Sequence, residues 1–183
     1  MDDLSELLFG TDCTLRKGGN NFLRDFAKTE RLYPQHLPVI EKAMGWRFLR
    51  KIPGKFKLYD VIYLDRNGKE VKVEHKDDFM NKDTGNAFIE TEHVDKDGKL
   101  TASGVMGTTA AFVAHFLPSV NSVYLYVPAV MRKAIEEHPS LFRPFSCAGD
   151  GNANGKIIVV EKMVAFIAYQ YEFKPDMTKV DLP

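Results

Sequence analysis

A mixed α/β domain is predicted, with a central β-sheet flanked by helices. Three observations predict it. Two alternating segments rich in Val, Ile and Tyr, residues 58–64 and 69–76, read as strands around a tight turn. Helical segments, Pro34 to Met44 and Val130 to His138, lie on either side of that pair in the chain. Further strand-like runs follow at Ser122 to Val127 and Ile157 to Val160, so strands and helices interleave.

The elements follow in order. Arg16 to Asn20 reads as a loop and Asn21 to Arg31 as a short helix; a second helix, Pro34 to Met44, is closed by Gly45. Trp46 to Leu49 is a strand, and Pro53-Gly54 turns the chain. The hairpin of residues 58–76 comes next, then a polar loop from Asp77 to Gly85. A second hairpin pairs Asn86 to Glu92 with Lys99 to Ala102 around Asp95-Lys96-Asp97-Gly98. Thr108 to Phe116, with its Ala and Phe content, reads as a buried helix, and Met163 to Tyr171 as a late strand, with a helix as the alternative. Tyr124, Tyr126, Tyr169 and Tyr171 alternate at strand spacing and read as core and cross-strand pairs rather than base-stacking platforms.

At 183 residues, 44% hydrophobic and 27% charged, the chain is expected to be one soluble domain, 1–183, with residues 1–33 as an N-terminal extension. No apolar run reaches the roughly 18 residues that span a membrane, and no signal peptide is evident; a cytoplasmic protein with no membrane partner is expected. Cys13 and Cys147 have no metal-ligand spacing, and reduced thiols are the default. Twenty-five basic and 25 acidic residues cancel, so overall charge does not announce a nucleic-acid binder. Local charge says more. Arg47, Arg50, Lys51, Lys55 and Lys57 occur within residues 47–57, with no acid among them, just before Asp60. They read as DNA-binding, gripping phosphates beside a scissile bond, or as solvated edge and loop charges. Asp2, Asp3, Glu6 and Asp12 make the N-terminus a poor match for DNA.

The hairpin carries Asp60 on its first strand and Glu74-His75-Lys76 on its second. Two registers are open. A three-residue loop, Arg66-Asn67-Gly68, pairs Asp65 with Lys69 and sets Asp60 opposite Glu74. A two-residue loop, Asn67-Gly68, pairs Asp60 with His75 and turns Glu74 to the other face. The first is expected here, because opposed Cβ atoms lie roughly 5 Å apart, which suits two carboxylates sharing a divalent ion. Lys76 then shares the face of Glu74. Carboxylates this close repel unless a cation lies between them, and hard oxygen ligands with water positions favour Mg²⁺ or Mn²⁺. Such an ion activates water against a phosphoryl centre. Taken alone, the same residues read more simply as a charged, solvated strand face.

Downstream blocks raise the metal reading. Tyr59-Asp60, Glu74-His75-Lys76, Thr84-Gly85-Asn86-Ala87-Phe88-Ile89-Glu90 and Ser103-Gly104-Val105-Met106-Gly107-Thr108-Thr109 stand in order. In these, residues 59–109 resemble the PD-(D/E)XK nucleases, particularly a phage and bacterial branch related to Holliday-junction resolvases. The resemblance implies a restriction-endonuclease-like core, with Asp60 and Glu74 as metal ligands, Lys76 as the catalytic lysine and the His75 carbonyl as a further ligand. It also implies an additional acid, for which Glu41 and Glu90 are the candidates. Ala110-Ala111 departs from the Lys or Arg and Asp that relatives commonly carry there. The expected function is a Mg²⁺-dependent (or Mn²⁺-dependent) DNA nuclease, an endonuclease on branched or structured DNA; the alternative is a nucleic-acid-binding protein that kept the fold and lost catalysis. A homodimer is left open, since a four-way junction offers two symmetric strands.

Asp150-Gly151-Asn152-Ala153-Asn154-Gly155, with Glu161 five residues on, satisfies the calcium-loop pattern of an EF-hand. The strand-like Ile157-Ile158-Val159-Val160 argues for a turn into a strand instead, leaving a calcium-stabilised module as the third reading. His36, His75, His93, His115 and His138 show no zinc spacing.

Overall fold

A computed structural model describes residues 21–53, 58–79, 84–94, 97–146 and 153–176. Lys55, Lys57, Cys13, Cys147, the acidic N-terminus and the Asp150 end of the calcium-like loop lie outside them. The protein is α/β, as expected. Helix α1 (Asn21–Met44) precedes β1 (Arg47–Lys51), β2 (Val61–Leu64), β3 (Glu70–Asp77), β4 (Asn86–Val94) and β5 (Leu100–Ala102). A one-turn helix, α2 (Gly104–Gly107), leads to β6 (Phe112–Leu117), β7 (Ser122–Tyr126) and helix α3 (Pro128–Glu137). The chain ends with β8 (Arg143–Ser146), β9 (Ala153–Val159), the short α4 (Val160–Met163) and β10 (Tyr169–Glu172).

Two sheets form. One has six strands in the order β1-β2-β3-β6-β7-β10; only β3 and β6 run parallel in it, so it is mixed. The other is antiparallel, in the order β5-β4-β9-β8. The β3-to-β6 crossover is therefore not a plain helix but β4, β5 and α2, which carries the second sheet onto one face of the first.

Each face of the six-stranded sheet holds a core. On one, Leu32 and Ile40 of α1 pack with Val61, Tyr63, Val73, Ala114, Phe116 and Leu125. On the other, Val113, Leu117, Tyr124 and Tyr126 meet Ala87 and Ile89 of β4, Ile158 of β9 and Met131 of α3.

Three expectations are corrected. The two N-terminal helices are one. Pro34 and Pro38 lie inside it on the exposed side, where water can satisfy the carbonyls that lose their N–H partners. Leu32, His36 and Ile40, spaced by four, are fully buried beneath, and that burial carries the helix across both prolines. Residues 112–117 are a strand, not a helix: β6 lies between parallel β3 and antiparallel β7 and is covered on both faces, so it shows no alternation. Residues 163–171 begin as helix and a short 3-10 turn, and only Tyr169–Glu172 pairs, against β7. The calcium-like pattern is preceded by strand β8, its residues 153–159 are themselves strand β9, and Glu161 falls in the one-turn α4, so the stretch turns into a strand as the Ile157–Val160 run suggests.

Candidate active site

The hairpin turn sets the site. Asp65 N–H donates to the Lys69 carbonyl at 2.9 Å and Gly68 N–H to the Asp65 carbonyl at 3.0 Å. Gly68 takes φ +77°, a conformation glycine adopts without strain. The Asp65 carboxylate accepts the N–H groups of Asn67 and Lys69 at 2.8 and 2.9 Å, an Asx turn that fixes the three-residue loop. Val61 pairs with Val73 and Tyr63 with Val71. Asp60 departs from this ladder: its N–H donates to the Val73 carbonyl at 3.0 Å while its own carbonyl accepts the Ile52 N–H at 2.7 Å, a bulge that breaks the register at Asp60, so the expected Asp60–Glu74 pair does not form in the ladder.

Asp60 lies just before β2, and its Oδ2 accepts the His75 backbone N–H at 2.8 Å. Glu74 and Lys76 lie on the face of β3 that turns toward the second sheet. The Lys76 Nζ sits 3.8 Å from Glu74 and 2.7 Å from Glu90 of β4. Asp60, Glu74, Lys76 and Glu90 are thus brought together from β3 and from both chain segments that face it.

The Thr-Gly-Asn and Ser-Gly blocks serve this cluster. Ser103 Oγ donates to Glu90 Oε1, and Ser103 N–H donates to the Thr91 carbonyl at 3.0 Å. Gly104 has φ +48°, and a side-chain Cβ there would stand 2.7 Å from Glu90 Cβ; only glycine lets α2 start this close to β4. The Thr108 hydroxyl donates to the Leu58 carbonyl at 2.7 Å, and Thr109 N–H donates to the same oxygen at 3.1 Å. These two bonds hold the segment leading into Asp60. Asp78, at the end of β3, accepts the Phe88 N–H at 2.8 Å, which ties β4 alongside β3.

Electrostatics follow from burial and crowding. Burial pushes the Glu74 carboxyl above its ordinary value; the Lys76 ammonium and Thr108 hydroxyl oppose the rise, while Asp60 and Glu90 add to it. For Glu90, burial alone would raise the value, but Lys76 and Ser103 outweigh it and hold the group low. Burial would lower Lys76, but Glu90 and Glu74 together hold it above its ordinary value, so its Nζ is an ammonium. Tyr126, buried against both carboxylates, keeps its phenol proton.

The other candidates fall elsewhere. Glu41 does not join the cluster: its Oε1 accepts the Phe48 N–H at 2.7 Å, at the start of β1. It lies two turns too far along α1. The α1 residues that do reach this end of the sheet are Glu30 and Tyr33. Burial raises the Tyr33 phenol, with Asp60 and Glu30 adding to the effect. Lys51 Nζ lies 2.9 Å from both Glu30 oxygens and 4.1 Å from the Tyr33 ring centre. Arg50 pairs with Glu70 at 3.3 Å, and Arg47 is exposed. Two of the three described basic candidates therefore have acidic partners that the local sequence does not show. The His75 ring is on the opposite face from Glu74, with its Nε2 3.3 Å from the Tyr63 hydroxyl, so a contribution from His75 to a metal would come through its backbone.

Sequence reading does not reach Glu30, Tyr33 or Thr108. The first two come near Asp60 only through the packing angle of α1, which leaves no trace in spacing. Thr108 stands in the quoted Thr-Thr block, but its target is a backbone carbonyl 50 residues earlier.

Mg²⁺ or Mn²⁺ suits Asp60 and Glu74 by donor chemistry: both offer hard oxygens, and the buried Glu74 is disfavoured as an anion until a cation approaches. Among the described residues no group of three or more His, Cys, Asp and Glu is set to hold a metal, and Glu90 is engaged by Lys76 and Ser103.

No family model matches the chain, and no curated protein matches it. A solved structure, that of the bacterial homing endonuclease I-Ssp6803I, is 20% identical, with a TM-score of 0.40 over 62% of this chain and 72% of that one. The likeness is partial, and the chemistry has to be read from the Asp60, Glu74, Lys76 and Glu90 cluster itself.

Proposed function

We propose that the protein is a metal-dependent nuclease that hydrolyses phosphodiester bonds in DNA, with Mg²⁺ or Mn²⁺ between Asp60 and Glu74. The observation that supports the reading is the gathering of carboxylates around one lysine: the Lys76 ammonium lies 3.8 Å from Glu74 and 2.7 Å from Glu90, and Asp60 is held beside them by the His75 N–H at 2.8 Å. A solvated charged strand face would not bury Glu74 to 12% exposure or support it with a second sheet. The bound ion would supply an activated water and charge stabilisation at phosphorus.

The chain's own groups do the rest. Asp60 is oriented by the His75 N–H at 2.8 Å, and its carboxylate would be one oxygen ligand of the cation. Glu74 would supply the second carboxylate. Lys76 is a cation rather than a base: its ammonium is suited to neutralise charge growing on the phosphoryl oxygens. Glu90, itself held by the Ser103 hydroxyl, keeps that ammonium in place. Glu41 is not proposed as a ligand. Arg47, with Lys55 and Lys57, is proposed to contact the phosphate backbone, and branched or structured DNA is proposed as substrate.

The test is cleavage of labelled linear, nicked, flapped and four-way DNA in Mg²⁺, with and without chelator, by the wild-type chain and Asp60→Asn. The proposal expects cleavage that chelator stops and Asp60→Asn loses by 10²-fold or more, roughly the weight of one essential charge-stabilising group. Cleavage by a folded Asp60→Asn at the wild-type rate would refute it. The 2.7 Å Lys76–Glu90 pair favours one second reading, a binding protein whose lysine is held away from chemistry; that reading expects DNA binding and no cleavage with either metal.

A further inference from the structure

Along the second sheet, lined from β4, β5, α2, β8 and β9, lies a groove of about 780 Å³. That size is within the range of about 300–1,000 Å³ common for ligand sites. We infer that this groove holds unpaired nucleobases of a single-stranded segment next to the bond being cut. The inference rests on the nucleic-acid reading above and names the form of substrate that reading leaves undefined.

Position is the first argument. Thr91 and Ala102 line the groove, and each is the chain neighbour of a site residue, Glu90 and Ser103. The Ser103 N–H bond to the Thr91 carbonyl joins the two walls. The groove therefore begins one residue from Glu90 and one residue from Ser103.

Chemistry is the second. Phe145, Leu100 and Met106 line the groove and are 45%, 53% and 37% exposed, apolar surface that a soluble chain leaves open at some cost. The Phe145 ring is already oriented, its centre 5.8 Å from that of Phe88 in an edge-to-face contact. Phe88 in turn packs over Gly155, where a side-chain Cβ would stand 2.6 Å from its ring. An oriented, half-exposed aromatic is a stacking platform for any base. Lys156 in the same groove suits a phosphate, and Glu92 suits an exocyclic amino group. Paired bases keep their faces stacked and their Watson–Crick edges engaged; unpaired ones expose both.

The test uses the full chain in chelator, so that no cleavage is needed. The probes are a single-stranded oligonucleotide carrying 2-aminopurine and a fully paired duplex of equal length, followed by base fluorescence and anisotropy. Wild type is expected to bind the single strand with a change in base fluorescence. Phe145→Ala should weaken that binding about 5- to 150-fold and leave duplex affinity unchanged; Phe145→Tyr should retain it. Equal weakening on both probes, no weakening at all, or no wild-type affinity for the single strand would overturn the groove assignment. If wild type cleaves DNA in Mg²⁺ while Phe145→Ala binds single strands normally, the groove fails and the nuclease reading stands. If the binding difference holds and no metal supports cleavage, the reverse is true.

Discussion

Glu74 is where burial and chemistry conflict most directly. Its carboxyl is held above the ordinary value of 4.5 by burial first, then by Asp60 and Glu90. A group raised in the folded state stabilises fully below its unfolded value and loses that stabilisation as pH rises through the folded one. In chelator, Glu74→Gln should therefore melt closer to wild type at pH 4 and higher than wild type at pH 8. Thermal melts at the two pH values check this; a difference independent of pH would contradict it. Gly104 is the opposite kind of residue, constrained by space rather than charge. Gly104→Ala forces a side chain into the left-handed region against Glu90, and should cost about 1–3 kcal/mol, read by denaturant unfolding. A loss under 0.5 kcal/mol would show that α2 can move from β4. Both residues stand in blocks visible in the sequence. What was not visible is which acid completes the cluster: Glu90 and Glu41 are equally acidic in one dimension, and only the second sheet selects Glu90.

At the scale of elements, the hairpin was legible because turn chemistry is local: Asp65, Asn67 and Gly68 determine the register within a few residues. Helix α1 and strand β6 are not legible in the sequence, for the complementary reason. Pro34 and Pro38 are local signals to stop, overruled by burial of Leu32, His36 and Ile40 against a sheet that follows later in the chain. Pro34→Ala should accordingly stabilise the protein, by about 1–3 kcal/mol, since a proline inside a helix costs about 3 kcal/mol and the site is exposed. Urea denaturation measures it; destabilisation would mean that Pro34 itself is needed for α1 to follow the sheet. Strand β6 is covered on both faces, so its sequence lacks the period that marks half-buried strands.

At the scale of the whole molecule, the cluster exists because two sheets meet. β3 brings Glu74 and Lys76, the turn into β2 brings Asp60, and β4 brings Glu90, with Asp78 fastening β4 to β3 at Phe88. A cation bound between Asp60 and Glu74 would relieve repulsion that the folded protein otherwise bears. Saturating Mg²⁺ should raise the melting temperature of wild type, by the equivalent of about 2.7 kcal/mol at a hundred times Kd, and leave Asp60→Asn unmoved; an equal rise in both would place the ion elsewhere. The chemistry is tested most directly at Lys76. Cleavage of the linear, nicked, flapped and four-way DNA panel in Mg²⁺ should be present in wild type and abolished in a Lys76→Ala variant that still melts cooperatively and still binds DNA. Cleavage by Lys76→Ala at the wild-type rate would contradict the account.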